Sequence, residues 1–551
     1  MIKRIVLAAL LLTMALALPK DSYAQFHSPS NIVGAHLISP SDEDLRDACR
    51  MVAPWGWVVL VAREDEYSVE KLQSLHNIAR DERCLIFHRV ATHFDSQNNA
   101  WARPSQETTN KIVNLCKNIV PSSKYFYLTL GNEVNRADEF GGAVDPKVYA
   151  QWAQKAKEAL SQECSNVVIT FSALDKAAPD SGTSFMSASR FYREMIDTVP
   201  SIFDGIQAIA THDYPPNMNG SCLTSGQRSI VGYQWEKNLL KSLGVEQADS
   251  LKIFITESGW RIGSGGVSES EAAQDTSCAY TTVGNDPSVM MRSHFAYKFC
   301  GEPFAAFSTI DCATNTQNAV GQTIQDFPKK SSQPEHEYKA TTMAELVKNI
   351  VEDQKRTFNI RIVNKSTDNF RRGEYQLALL GSGFDYSFSD FAMVRPNETL
   401  ETKFNFNPGK TSGCPTMSVG LLRNKNVVLE LFNWQVCVHK PPRFTLTNIK
   451  SPLGVVDNVS AEAQFFDENE HLVARHKETI RYGDFVINGV DNVDFDNAYR
   501  GVLLIPGSLP QQWYVQFKPG ENIQEARTVW PIDRNEDGKF SLNDILNIYS
   551  Q

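Results

Sequence analysis

The sequence predicts an α/β fold: a closed (β/α)8 TIM barrel, then two small β-sandwich modules and a short calcium-binding loop-helix. Three observations carry this. Between residues 31 and 350, short continuous apolar runs alternate with amphipathic stretches, as buried parallel strands separated by helices do. From about residue 355 the pattern changes to strict apolar–polar alternation, as in half-buried antiparallel strands. From Asp533 onward, oxygen-bearing side chains recur at the spacing of a cation-binding loop. A chain of 551 residues is too long for one ordinary core, which supports several domains.

In chain order, residues 1–24 come first. Lys3 and Arg4 precede the apolar run at 5–18, and Ser22-Tyr23-Ala24 forms a small-x-small cleavage site before Gln25. The run is shorter than the ~20 residues a span needs, so it reads as a secretory signal peptide rather than an anchor. No later run could cross a bilayer. The expected location is extracellular or at the cell surface, where ten cysteines can pair as disulfides. A net charge of -10 gives no basic face for nucleic acid.

The barrel is expected over residues 25–352. Its eight strands are read as "NIVGAHLIS", "GWVVLVAR", "CLIFHRVAT", "YFYLTLGNE", "NVVITFSALD", "GIQAIATHDY", "LKIFITESGW" and "PFAAFSTID". Helical stretches such as "SVEKLQSLHNIARDE" and "DPKVYAQWAQKAKEALSQ" open with Ser or Asp, as N-caps do. An open doubly wound sheet would want a glycine-rich phosphate loop after the first strand, and none is present. The β-sandwich modules are expected at 353–439 and 440–525, with "KPPR" as the linker, and the calcium segment at 526–551.

Barrel chemistry is placed at the C-terminal ends of strands. Glu133 ends the fourth apolar strand, and Glu257 ends the seventh, three βα units later. Strands four and seven face each other across a barrel mouth, so both carboxylates can enter one cleft. Two carboxylates flanking one bond are what glycoside hydrolysis requires: one holds a proton near neutral pH, the other is ionised and reaches the anomeric carbon.

"GNEVN" after strand four and "TESGW" after strand seven resemble the signatures of glycoside hydrolase clan A, nearest to families 5 and 39. The resemblance covers residues 31–350. It implies a retaining enzyme with Glu133 as acid/base, Glu257 as nucleophile and Asn132 as partner of the substrate 2-hydroxyl. It also implies an aromatic or His at the end of strand six that orients the nucleophile; His212 and Tyr214 stand there, with Tyr214 favoured. Arg63, ending strand two, matches the arginine that family 5 places near the nucleophile, and Arg89 in strand three could serve instead. Either guanidinium would keep Glu257 ionised. His36 and His88 are weaker candidates. Trp260 and Trp101 could stack on a sugar face. Family 5 also places a Trp on strand eight, where this chain offers only Phe304 and Phe307.

The expected substrate is an oligo- or polysaccharide, with no cofactor needed for its hydrolysis. The alternative is a non-catalytic carbohydrate-binding or cell-surface protein on a degenerate hydrolase barrel. On the assumed strand register, Cys222 and Cys278 are expected to form a loop staple beside the cleft. Cys300 and Cys312 should lie on opposite faces and not pair. Cys414–Cys437 is expected within the first β-module.

In the tail, Asp533, Asn535, Asp537, Gly538, Ser541 and Asp544 fall at positions 1, 3, 5, 6, 9 and 12 of a loop, and Lys539 supplies the position-7 carbonyl. Asp at position 12 followed by "ILNIYS" resembles a dockerin calcium repeat. That resemblance implies structural Ca2+ and a possible protein partner through this segment. Dockerins carry two repeats, and one is found here.

Overall fold

A computed structural model describes residues 31–39, 41–330, 332–381, 383–410, 412–533, 537–539 and 541. Residues 1–24, where a signal peptide is expected, lie outside these. Among the described residues, no helix is long and apolar enough to cross a membrane. The chain divides into two compact units, residues 1–337 with 366–369, and residues 338–365 with 370–551.

The first unit is the barrel. Its strands are β1 (Val33–Leu37), β2 (Gly56–Arg63), β3 (Cys84–Ala91), β4 (Phe126–Leu130), β5 (Val167–Phe171), β6 (Ala208–His212), β7 (Lys252–Glu257) and β8 (Val289–His294). All are parallel, in the order β5-β4-β3-β2-β1-β8-β7-β6, and β5 adjoins β6 to complete the circle. The helices are α1 (Asp42–Val52), α2 (Val69–Glu82), α3 (Gln106–Asn118), α4 (Pro146–Glu163), α5 (Ala188–Thr198), α6 (Gly232–Ser242), α7 (Glu269–Val283) and α8 (Ala319–Asp326).

The strands read as continuous apolar runs because both faces are covered. On β2, Trp57 and Val59 point into the barrel, while Val58 and Leu60 join the layer beneath the helices. Phe254 on β7 faces inward between Ile253 and Ile255, which face outward. Trp57, Tyr127 and Phe254 meet edge-on inside, with centroids 4.9 and 5.4 Å from Trp57, which adds ~1 kcal/mol per pair beyond burial. Helix starts follow the sequence. Ser68 accepts from Lys71 N, Asp145 accepts from Val148 N ahead of Pro146, and Ser268 and Glu271 form a capping box. Such caps contribute about 1 kcal/mol each.

The eighth strand differs from the expected one. It is Val289–His294, paired with β7 and β1, and not residues 303–311. Those residues lie in the loop after it, as a short 3-10 turn (Ala305–Phe307) and a two-residue strand (Ile310–Asp311) paired with Thr316–Gln317. Arg292 and His294 made this strand look polar, yet both are buried. The Arg292 guanidinium lies 4.6 Å from the Tyr280 ring and 5.6 Å from the Trp260 ring, and donates to Ser258 Oγ at 2.9 Å.

The shifted register also corrects the cysteines. Cys300 and Cys312 both fall in the β8–α8 loop and are bonded, with Cα atoms 5.7 Å apart. Cys222–Cys278 pairs as expected, though Cys278 sits within α7 rather than in a loop. Cys414–Cys437 also pairs as expected. Cys49–Cys84 and Cys116–Cys164 complete five bridges, with no free cysteine.

The second unit holds two hydrophobic cores. Around the first, one sheet contains Ala340–Ala344, Arg356–Asn364, Thr399–Asn407 and Asp385–Phe388, and another contains Tyr375–Leu380, Thr416–Arg423 and Asn426–Gln435. Phe358, Phe404, Phe406 and Trp434 fill the space. Around the second, Phe485–Ile487, Arg443–Thr447 and Glu521–Glu525 form one sheet, and Leu472–Ile480, Val459–Phe466, Ala498–Leu504 and Gln511–Gln516 the other. Phe444, Phe465, Trp513 and Phe517 form its centre. The first unit ends before the expected boundary at 352, because Ala340–Ala344 and Asn349–Val351 pair with Arg356–Asn364 and Cys437–His439. Val529, expected in the terminal segment, is buried in the second core.

Candidate active site

Strand β4 stops because its backbone turns. Gly131 adopts φ 98° and Glu133 φ 39°, and Glu133 N donates to Ala173 O beyond β5 at 2.8 Å. Only glycine enters the left-handed region at no steric cost, so a side chain at 131 would resist this bend. The turn aims Glu133 into a cleft of about 710 Å³ at the C-terminal mouth of the barrel. Glu257, the last residue of β7, lines the same cleft. One oxygen of each carboxylate and a ring nitrogen of His212 lie within 4.8 Å of one another.

The two glutamates have different surroundings. Glu257 Oε1 accepts from Arg89 Nη1 at 3.1 Å, and its Oε2 accepts from Tyr214 Oη at 3.0 Å. His36 Nδ1 lies 3.6 Å from Oε1, and His212 Nδ1 lies 3.7 Å from Oε2. Burial raises the Glu257 pKa above its ordinary value, while His212, Arg89 and the Tyr214 hydroxyl pull it back down. Glu133 lies 2.9 Å from His212 Nδ1 and accepts from Arg136 Nη1 at 3.2 Å. Arg136 is shared with Asp138 and Asp175, so its charge is divided. Burial, reinforced by Asp175, pushes Glu133 from 4.5 up to about 7. The ionised form is therefore better served at Glu257, and the protonated form is accessible at Glu133 near neutral pH.

A third carboxylate, Glu139, stands in the same cleft and was not singled out from sequence. Arg89 Nη2 lies 3.6 Å from it, Asn132 hydrogen-bonds to it, and burial raises it to about 7. Arg136 and Glu139 come from the loop that carries Glu133, three and six residues on, which was the available signal. Asn132 is buried and lines the cleft, and His36, fully buried beside Glu257, meets Phe295 edge-on at 5.2 Å. Burial holds His36 well below the ordinary imidazole value, and so neutral.

Three candidate residues are placed elsewhere. Arg63 lies at the cleft rim without contacting Glu257. Asp65 and Glu66, close in the chain, hold it at 2.7 and 2.5 Å, and its guanidinium covers Trp101 at 5.5 Å. Trp260 is fully buried behind β7 in the helix layer and donates to Gly220 O at 2.8 Å, so no ring face is free for a sugar. His88 is a core histidine, 3.2 Å from His76 and 2.9 Å from Tyr127 O. The aromatic side chains lining the cleft are Phe94, Trp101, Tyr214, Phe295, Phe304 and Phe307. Phe295 directly follows β8 and was missed because that strand was misplaced.

Glu133, His212 and Glu257 are close enough to share a cation. The Arg89 guanidinium already supplies positive charge there, which disfavours a divalent ion. In the tail, Asp533 is buried and accepts from Asp537 N at 3.1 Å and Gly538 N at 2.8 Å; Asp537 accepts from Lys539 N at 2.9 Å. Asn535 and Asp544 lie outside the described residues.

No protein-family profile matches the chain, and no curated protein matches it. Among solved structures it is similar to an FMN-binding β-glucuronidase from Facaelibacterium prausnitzii L2-6, with TM-score 0.36 and 8% identity over 75% of this chain and 58% of that one. It is also similar to a Bacteroides ovatus GH5 xyloglucanase, with TM-score 0.34 and 12% identity over 55% and 79%. A third is a GH5-4 endoglucanase from Bacteroides salanitronis, with TM-score 0.35 and 12% identity over 56% and 97%. The chain spans 58–65% of the length of the β-glucuronidases it resembles. Strand order, not these likenesses, defines the barrel.

Proposed function

We propose that this protein is a secreted glycoside hydrolase that cleaves O-glycosidic bonds of an oligo- or polysaccharide by retaining double displacement. The observation that carries the reading is the pair Glu133 and Glu257, at the ends of opposed strands, with carboxylate oxygens within 4.8 Å. Inverting enzymes leave ~6.5–9.5 Å between the carboxyl groups for a water, whereas retaining enzymes need ~5–5.5 Å.

In the first step Glu257 attacks the anomeric carbon while Glu133 gives its proton to the leaving oxygen. The glycosidic bond breaks and an ester to Glu257 forms. In the second step Glu133, now ionised, takes a proton from water. The hydroxide attacks the same carbon, and Glu257 leaves as a carboxylate. Arg89 and Tyr214 stabilise the Glu257 charge when it is free, and Asn132 binds a hydroxyl of the reacting sugar. The test is a panel of glycans with wild type, Glu133→Gln and Glu257→Gln. Sugar release by wild type, reduced at least ~10³-fold in Glu257→Gln, supports the reading. Glycan binding without release in wild type would replace it with a non-catalytic role. An NMR assay of the first-formed anomer tests retention.

The C-terminal loop is proposed to bind a structural Ca2+ through Asp533, Asn535, Asp537, Asp544 and the Lys539 carbonyl. Gly538 at φ 79° supplies the sharp turn that position 6 requires. Titration calorimetry with Ca2+ should show heat in wild type that Asp537→Ala abolishes.

A further inference from the structure

Beside the cleft, which Lys176 itself lines, is a buried polar network. Lys176, in the loop after β5, pairs with Asp213 just beyond β6 and with Glu236 on α6, the latter at 3.2 Å. Thr211 Oγ1 donates to Glu236 Oε2 at 2.6 Å and lies 3.1 Å from Asp213 Oδ1. Tyr192 on α5 donates to Glu236, and Tyr233 N donates to Asp213 Oδ2 at 3.2 Å. All three charged side chains are buried, with Lys176 at 6% exposure the least so. A buried network of this kind is costly to desolvate and is weak evidence for stability alone.

Its placement is what matters. Side chains alternate along an extended strand. Thr211 and Asp213 turn to the network, while His212 and Tyr214, between and after them, turn to the glutamates. The β6–β7 ladder also shifts register here: Thr211 faces Ile255 but His212 faces Glu257, leaving Thr256 as an extra residue. Irregularities of this kind re-aim side chains beside active sites. Asp213 N then donates to Glu257 O at 3.0 Å, tying the two strand ends together.

We propose that Lys176, Asp213 and Glu236 are positioning residues: through Thr211 and Asp213 they hold the shifted end of β6 so that His212 reaches Glu133 and Tyr214 reaches Glu257. This rests on the hydrolase reading above. The experiment is steady-state kinetics of full-length Asp213→Asn, with a crystal structure of the variant. Asn can still accept from Tyr233 N, and Lys176 keeps Glu236. The expected result is a kcat lowered about 10- to 100-fold, with KM changed less than about threefold, and a lengthened His212–Glu133 or Tyr214–Glu257 contact. If Asp213→Asn does not fold, Thr211→Val decides: it removes the hydroxyl that meets both carboxylates without touching a charge, and kcat should fall about three- to tenfold. Wild-type kcat in either folded variant would overturn the proposal and leave the hydrolase reading intact. A wild type that releases no sugar from any glycan would overturn both.

Discussion

Arg89 of β3 donates to Glu257 of β7 at 3.1 Å, although Arg63 of β2 reaches the same cleft. The Arg89 side chain is 11% exposed and that of Glu257 8%, so little water screens the pair. Removing it should raise the Glu257 pKa. The nucleophile works only when ionised, so the acidic limb of the kcat/KM–pH profile should move to higher pH in Arg89→Gln, with kcat down roughly 10- to 100-fold. Arg63→Gln should leave that limb in place.

Glu133 gives the opposite limb. It must be protonated to act as the acid, so kcat/KM should fall as pH rises through about 7, and Glu133→Gln should lack this limb. Stability follows the same group. Its folded value lies above its ordinary 4.5, so its contribution is fully present below that value and is lost as pH rises toward about 7. Glu133→Gln removes the charge and should raise the melting temperature at pH 8 but hardly at pH 5. The difference is on the order of 1–3 kcal/mol.

The bridge between Cys300 and Cys312 closes the β8–α8 loop that carries Phe304 and Phe307 into the cleft. Peptide mapping without reduction should recover this pair. Replacing both cysteines by serine should lower stability by ~2–3 kcal/mol and raise KM more than it lowers kcat, because the loop contributes cleft wall rather than reacting groups.

The same loop shows where sequence reading stopped. Seven strands were legible because apolar side chains cover both of their faces, and Glu133 and Glu257 were legible because they terminate such runs. Strand β8 was not, since Arg292 is buried against Trp260 and Tyr280 rather than solvated, and hydrophobicity carries no mark of that. Trp260 was misplaced for the same reason: its neighbour in sequence is the cleft, but its partner in space is Arg292. The Lys176–Asp213–Glu236 cluster joins residues from two βα units, up to 60 positions apart, and nothing in local pattern links them.

Glu139 tests the electrostatics of the whole cleft. Charged groups around it are Arg89, Glu133 and Asp138, and Asn132 hydrogen-bonds to it. Glu139 and Glu133 both lie near pH 7 and repel each other when ionised, so they titrate as a coupled pair and the basic limb of wild type should be broad. Glu139→Gln keeps an acceptor for Asn132 and removes the like charge. Glu133 then ionises more easily, and the basic limb should sharpen and move to lower pH. The acidic limb should stay, because Glu139 is already protonated where Glu257 titrates and so does not compete for Arg89 there. A kcat/KM–pH profile of Glu139→Gln measures both limbs at once. Movement of the acidic limb instead would mean that Glu139 stays ionised well below pH 7 and shares Arg89 with Glu257 throughout.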